Sequence, residues 1–417
     1  MAADGAGLSP ETLSVTLGYS STSAFGAVKP PAVLTTTYTY TSAQHAKDIH
    51  EAFFQGTGPA VGAADAYIYT RLGHPNLTMV ETRLAALDGA AASAVFSSGM
   101  AAITTTLLAF VRPGDSVVCS RPCYGGTDGY LTTVLPDFGV TTHGFGDGCD
   151  PASIRAAVTA AMAAGPLRLI HVESPANPTA AIVDIALVAQ IAGEAAAVQG
   201  FRPLVLVDNT FLGPLLQSPL ALGADLTMVS LTKYCGGHSD LMAGSVSGSA
   251  ELVAKLKALR TLSGNHLDPF SAWLLLRSFE TLPLRTDRAC RSARDVAEFL
   301  RSHPKVAGVT YLGFVDGAAR AVFDRQCRGT GSTFSFHLHG GEAEAFRLLD
   351  ALRLLRLAVS LGGSETLICN PATTTHYQVP RERREASGIF DGTLRVSMGL
   401  EAPADLIADL AQALGSV

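Results

Sequence analysis

The residues best suited to chemistry lie in the stretch Ser230-Leu231-Thr232-Lys233-Tyr234-Cys235-Gly236-Gly237-His238-Ser239-Asp240. The apolar run 226–229 leads straight into two hydroxyls and a lysine, so Lys233 is presented where a buried strand ends. A lysine desolvated beside other cations loses its proton more readily, because burial and like charge both disfavour the ammonium form. The neutral amine can then form a Schiff base with a carbonyl cofactor. Ser230 and Thr232 flank Leu231 and could both donate to a phosphate. A solvated loop lysine is the plain alternative. Other apolar runs end in the same way: Ser97-Ser98-Gly99-Met100 follows Phe96, Glu173-Ser174-Pro175-Ala176-Asn177-Pro178 follows Val172, and Asp208-Asn209-Thr210 follows Val207. In open parallel sheets ligands bind beyond the carboxyl ends of the strands, so these polar ends predict one crevice.

Each cluster has a chemical and a structural reading. Ser98-Gly99-Met100 precede a helical stretch beginning at Ala101, so their N–H groups face outward at the positive end of a helix, where a phosphate binds well. The same residues also make an ordinary N-cap. Asp208 would lie deep at the sheet edge, where an unpaired carboxylate is costly. A protonated pyridine nitrogen would be its partner and keep that ring an electron sink, whereas capping before Asn209 is the structural alternative. Tyr124, in Cys123-Tyr124-Gly125-Gly126-Thr127, is followed by glycines that let a flat ligand approach its ring, although this pattern also marks a turn.

The elements that must position these residues follow from the apolar pattern. Runs at 94–96, 116–119, 167–172, 204–207 and 226–229 are continuous rather than alternating, as strands buried on both faces of a mainly parallel sheet are. Helical stretches between them complete an α/β arrangement. The first 73 residues are rich in Thr, Ser, Pro and Gly, with Pro30-Pro31 and a loose segment at 56–64, and predict an extended arm and loop. Helices at 292–301, 342–355 and 404–414 with a strand at 331–338 predict a smaller C-terminal α+β domain. The expected division is thus an arm at 1–73, a large domain at 74–285 and a C-terminal domain at 286–417.

A chain of 417 residues, 47% hydrophobic and 16% charged, can bury more than one core. A net charge of -6 without a basic run excludes a nucleic-acid footprint. The N-terminus carries Asp4 and lacks a basic region followed by an apolar one, so no secretory signal is expected. No run reaches the roughly 20 apolar residues of a membrane span, and a cytoplasmic location is expected. The seven cysteines are scattered, form no CxxC pair and predict neither a disulfide framework nor a metal site; Cys235 reads as a buried space-filler.

Taken in order, Tyr69-Thr70-Arg71, Ser98-Gly99-Met100, Tyr124-Gly125-Gly126-Thr127, residues 173–178, Asp208-Asn209-Thr210, the Lys233 segment, Ser360-Leu361-Gly362-Gly363 and Leu394-Arg395-Val396-Ser397 resemble the Cys/Met-metabolism family of pyridoxal-phosphate enzymes. That family includes cystathionine γ-synthase, cystathionine γ-lyase, methionine γ-lyase and O-acetylhomoserine sulfhydrylase. The resemblance runs from about Pro30 to Leu414 and implies a fold-type I, PLP-dependent transferase-like α/β fold. It implies that Lys233 holds pyridoxal 5'-phosphate as an aldimine and then moves protons from Cα to the cofactor carbon and from Cβ. Asp208 would pair with the pyridinium. Ser98, Gly99, Met100, Ser230 and Thr232 would cradle the phosphate, joined by Tyr69 and Arg71 from a neighbouring subunit. The arm would then contact that subunit, the active site would need at least a dimer, and a homotetramer is the common family form. Asn177 would approach the ring hydroxyl, Tyr124 would stack on the ring and protonate the leaving group, and Ser360 would line the lysine and substrate side. Arg395 would grip the carboxylate of a small amino-acid substrate, for which a guanidinium is well shaped; a solvated strand arginine is the generic alternative. His238 reads as fastening a glycine turn and Glu173 as supporting its loop.

Departures from the family pattern bear on the substrate. Methionine γ-lyases usually have cysteine where this chain has Gly126, and cystathionine-processing members often have glutamate where this chain has Val359. His74-Pro75-Asn76-Leu77-Thr78, Leu267-Asp268-Pro269 and Arg277-Ser278-Phe279-Glu280-Thr281-Leu282 look most like a bacterial cystathionine γ-synthase-like subgroup that includes canavanine γ-lyase. The resemblance therefore implies γ-elimination or γ-replacement on an amino acid with a Cγ leaving group, such as methionine, cystathionine, an O-acylhomoserine or canavanine, through a vinylglycine-type intermediate. A β-lyase or sulfhydrylase is the alternative within the family, and a non-catalytic scaffold member the alternative outside it. Substrate-side residues are expected near 53–64 and 370–377.

Overall fold

Seven strands form the larger sheet of the computed structural model, which describes residues 7–54 and 67–417. They are β1 (Ala92–Phe96), β2 (Ser116–Ser120), β3 (Thr141–Phe145), β4 (Leu167–Glu173), β5 (Leu204–Asp208), β6 (Leu226–Val229) and β7 (Gly244–Gly248). Their order is β1-β7-β6-β5-β4-β2-β3. Pairs β2/β3, β2/β4 and β4/β5 are parallel and β1/β7 is antiparallel, so the expected α/β fold with a mainly parallel sheet is what the chain adopts. The continuous apolar runs are the buried strands. Asp208 ends the central strand, β5, so it lies at the carboxyl rim of the sheet's middle rather than at a lateral edge.

The chain divides into two compact units. One gathers the residues up to Ala109 with Met228–Gly236 and Asp240–Pro283. In it the helix Pro75–Asp88 lies against β1 and against the helix Pro269–Phe279. Where an extended arm and loop were expected, helices form at Pro10–Thr16 and Ala43–Phe54. The first starts conventionally, with Ser9 accepting from Thr12 N and a proline at its first turn. The buried Arg83 then holds the exit from that helix by donating to Ser14 O at 2.9 Å and Leu17 O at 2.8 Å. The segment 56–64 singled out from composition lies outside the described residues.

The other unit comprises Phe110–Thr227, Gly237–Ser239 and Leu284–Val417. Helices Pro151–Ala164 and Ile185–Gln199 start at capping aspartates, Asp150 and Asp184, and pack Ile154, Val158, Val188 and Ile191 on Val118, Ile170, Val172 and Val205. A five-stranded sheet of order β10-β11-β12-β9-β8 follows, built from β8 (Val306–Thr310), β9 (Thr333–Leu338), β10 (Arg356–Leu357), β11 (Leu367–Cys369) and β12 (Thr393–Ser397). Helices Leu282–Ser302, Glu342–Ala351 and Pro403–Leu414 bury Val296, Leu300, Leu348, Leu406 and Leu410 with Phe334, Phe336, Leu394 and Val396. This matches the α+β texture read from the last third of the sequence. Among the described residues no helix is long and apolar enough to cross a membrane.

Candidate active site

In the first unit the end of β6 turns sharply. Lys233 N donates to Ser230 O at 3.1 Å and Gly236 N to Leu231 O at 2.7 Å, which holds the half-buried Lys233 on a closed turn. Thr232 is tied to the strand entering β7: its Oγ1 donates to Ala243 O at 3.1 Å and accepts from Ala243 N at 3.0 Å. That hydroxyl therefore fixes the turn, a use the sequence did not reveal. The helix Gly99–Phe110 begins beside this turn. Ser98 Oγ accepts from Ala101 N at 3.0 Å, so the capping reading of Ser98 is realised. The first N–H groups of a helix have no intrahelical acceptor and remain available to an anion. A Cβ on Gly99 would stand 3.0 Å from Ser230 Oγ, so only a bare backbone lets the helix start lie this close to that hydroxyl. Gly244 was not anticipated: a Cβ there would overlap Ser98 O. A glycine inside a strand is the signal of such a close approach. Tyr69 is exposed, with the Arg71 guanidinium 5.8 Å from its ring centroid and Arg71 Nη1 donating to Thr261 O at 2.7 Å.

In the second unit β4 and β5 end side by side, with Glu173 opposite Asp208. Asp208 is buried, and its Oδ1 accepts from Thr210 N at 3.0 Å and Thr210 Oγ1 at 2.6 Å. Burial nevertheless pushes its carboxyl up to about 6. Glu173 accepts from Tyr124 N at 2.6 Å through Oε2 and from Asn177 N at 2.7 Å through Oε1. Burial raises its pKa well above the ordinary glutamate value, with Asp208 and Cys123 adding to the rise and the two backbone N–H groups opposing it. Asn177 Oδ1 in turn accepts from Arg395 Nη1 at 3.0 Å, and Arg395 Nη2 donates to Ser360 O at 2.7 Å. Ser360 holds a φ of 85°, a left-handed conformation that a residue with a Cβ adopts at a cost. Contrary to the solvated alternative, Arg395 is 3% exposed, and its Nε has no hydrogen-bond partner among the described residues.

The segment 370–377 also belongs to this arrangement. Asn370 Nδ2 donates to Asp391 O at 2.7 Å and its Oδ1 caps Thr373 N at 3.1 Å. A Cβ on Gly125 would overlap Thr375 O, so the glycine after Tyr124 is where this backbone passes. His376 is buried, and burial followed by the nearby Arg395 lowers its pKa to about 4.

The residues present fit pyridoxal phosphate on two grounds, one in each unit. In the first a bare glycine lets a helix start approach Ser230. In the second Asp208 is a buried acid whose ionisation a cation would favour. Residues 11–415 match the family model described as Cys/Met metabolism PLP-dependent enzyme. The chain is 38% identical to an L-methionine gamma-lyase of Pseudomonas deceptionensis, over 97% of this chain and 96% of that one. It is also 38% identical to the cystathionine beta-lyase MetC of Bacillus subtilis, over 90% and 91%. The crystal structure of a cystathionine gamma synthase from Xanthomonas oryzae pv. oryzae in complex with cystathionine superposes with a TM-score of 0.86, at 36% identity and 98% coverage of both chains.

Proposed function

The chain belongs to the Cys/Met-metabolism family of PLP-dependent enzymes, and within it we propose γ-elimination or γ-replacement on an amino acid with a Cγ leaving group. Pyridoxal 5'-phosphate supplies the electron sink that makes Cα and then Cβ protons acidic. Lys233 would hold the cofactor, and its Nζ would take and return those protons. Asp208 would pair with the ring nitrogen and Asn177 would serve the ring hydroxyl. Ser98, the Gly99 and Met100 N–H groups, Ser230 and Thr232 would hold the phosphate; Thr232 Oγ1 would have to turn its hydrogen away from Ala243 O to take part. Tyr124 would lie against the ring and donate a proton to the leaving group.

The observation that carries the reading is Arg395. Asn177 and Ser360 already orient its two Nη atoms, and its buried Nε stays unpaired, so an arriving α-carboxylate would accept from the donors that remain. Support for γ-chemistry comes from the gamma-lyase and gamma-synthase names among the relatives and structural neighbours. Exposed Tyr69, beside Arg71, suits a role at the phosphate site of a second copy; a homotetramer working in the cytoplasm belongs to the same proposal.

The test is a panel of methionine, cystathionine, O-acylhomoserine and canavanine. Formation of 2-oxobutyrate from methionine or cystathionine, homoserine from canavanine, or a new thioether from O-acylhomoserine and cysteine would support the reading. Pyruvate as the sole oxo acid from cystathionine would move the assignment to β-elimination, the alternative favoured by the beta-lyase relative.

A further inference from the structure

We infer that Glu173 is a positioning residue: its carboxylate clamps the backbone amides of Tyr124 and Asn177 and thereby sets the two side chains that face the reacting molecule. This rests on the roles proposed above for Tyr124, Asn177 and Arg395. Tyr124 lies 49 residues before Glu173 along the chain and Asn177 four after it, yet each amide donates to its own carboxylate oxygen, at 2.6 and 2.7 Å. Glu173 is itself fixed, because it ends β4 in register with Asp208 and its own N–H donates to Ser120 Oγ at 2.9 Å.

The clamp needs both carboxyl oxygens. Each accepts from one backbone amide, at 2.6 and 2.7 Å, whereas a carboxamide presents its own N–H groups at one of the two positions. Aspartate keeps the acid but is shorter by one methylene, so it cannot reach both amides from the same backbone position. Burial and the neighbouring acid Asp208 disfavour the charged form, and the two amides oppose them. Loop support alone does not require both oxygens to be engaged by amides from two separate segments.

The consequences run along two paths. On one, Glu173 holds the Tyr124 amide, and the next residue, Gly125, abuts Thr375 O. The tyrosine backbone is thus fixed from two directions, and with it the place from which the phenol can deliver a proton. On the other, Glu173 holds the Asn177 amide, Asn177 Oδ1 receives Arg395 Nη1, and Arg395 reaches Ser360 O. A slack clamp therefore degrades proton delivery and carboxylate binding together, while the phosphate contacts, which use other residues, are left alone.

The experiment compares Glu173→Gln and Glu173→Asp with wild type as holoenzymes. It measures pyridoxal phosphate affinity by titration of the apo-proteins, visible circular dichroism of the bound cofactor, thermal stability, and KM and kcat separately. Both variants should keep cofactor affinity within about threefold, raise KM and lower kcat by roughly 10-fold each, and lose part of the visible dichroic signal, because small misplacements of positioned groups have large kinetic effects. A folded variant of either kind with wild-type KM, kcat and dichroism overturns the inference. So does a variant with weak cofactor binding but an unchanged KM, since that pattern belongs to general loosening. If Glu173→Gln does not fold, Glu173→Asp, which preserves the charge, decides alone; a Glu173→Asp chain that also fails to fold assigns Glu173 to folding and overturns the positioning role. Failure of the underlying mechanism is separately visible, because Lys233→Ala would then retain turnover.

Discussion

Replacing Gly99 by alanine inserts one methyl group where the helix start meets Ser230. The new Cβ would stand 3.0 Å from Ser230 Oγ, 3.1 Å from Ser230 Cβ and 3.2 Å from Met228 Cε, against ordinary carbon contacts of about 3.5–4.0 Å. The helix start and Ser230 must therefore separate by about 0.5 Å, counted against that contact range. The Gly99 and Met100 N–H groups and the Ser230 hydroxyl then no longer fit one phosphate. A hydrogen bond to a charged group is worth about 1.5–3 kcal/mol, so losing one weakens pyridoxal phosphate binding by roughly 10- to 100-fold. The assay is titration of cofactor into apo-protein, followed by visible absorbance. Gly193→Ala is the control: Gly193 lies inside the helix Ile185–Gln199 with nothing within 4 Å of its Cβ position, so this variant should bind normally and gain roughly 0.5–1 kcal/mol of stability. A folded Gly99→Ala protein with wild-type cofactor affinity would refute the phosphate cradle.

Arg395→Lys keeps a charge but loses the fork that serves Asn177 and Ser360 and that is proposed to take the substrate carboxylate; KM should rise roughly 10- to 100-fold with a smaller change in kcat, and an unchanged KM would remove Arg395 from carboxylate binding. His171 is fully buried, its Nε2 has no hydrogen-bond partner among the described residues, and burial lowers its pKa to about 4. Its contribution is complete above the unfolded value near 6.5 and is lost as pH falls towards 4, about 3 kcal/mol in all; His171→Leu should flatten that acid limb in urea unfolding at several pH values, and an unaltered limb would count against it. Asp88 has the opposite sign. Burial raises its carboxyl to about 7, against the opposing pull of the Ser247 hydroxyl, and the folded state therefore loses stability as pH rises from near 4 to 7. Asp88→Asn should be the more stable protein above pH 7, by up to about 4 kcal/mol; equal stability there would show the carboxylate to be solvated.

Strands whose both faces are buried could be read directly, because burial on two sides forces a continuous apolar run. That is why β4, β5 and β6 were legible as strands, and the polar residues after them as candidate site residues. Strand β3 was not, since Thr141, Thr142, His143 and Gly144 occupy a lateral edge with half-exposed or exposed side chains. Strand β7, Gly244 to Gly248, was missed because glycines and serines surround its single apolar residue, Val246, and Gly244 is bare where a Cβ would overlap Ser98 O. In the candidate site, residue types singled out Lys233, Asp208 and Ser230 as candidates because the chemistry proposed for them is local to a strand end. The geometry around Tyr124 was hidden, since it depends on Glu173 reaching back 49 residues and on Thr375 O passing Gly125. The division of labour between Ser98 as cap and Gly99 as point of contact likewise depends on how closely two backbones approach.

Lys233 Nζ is the group proposed to hold the cofactor. Borohydride reduction of the loaded enzyme followed by proteolysis and mass spectrometry tests it most directly. The expected result is a phosphopyridoxyl mass on the peptide containing Ser230, Thr232 and Lys233, located on Lys233, and its absence from Lys233→Ala protein. The same mass on another lysine, with Lys233 unmodified, would contradict the claim.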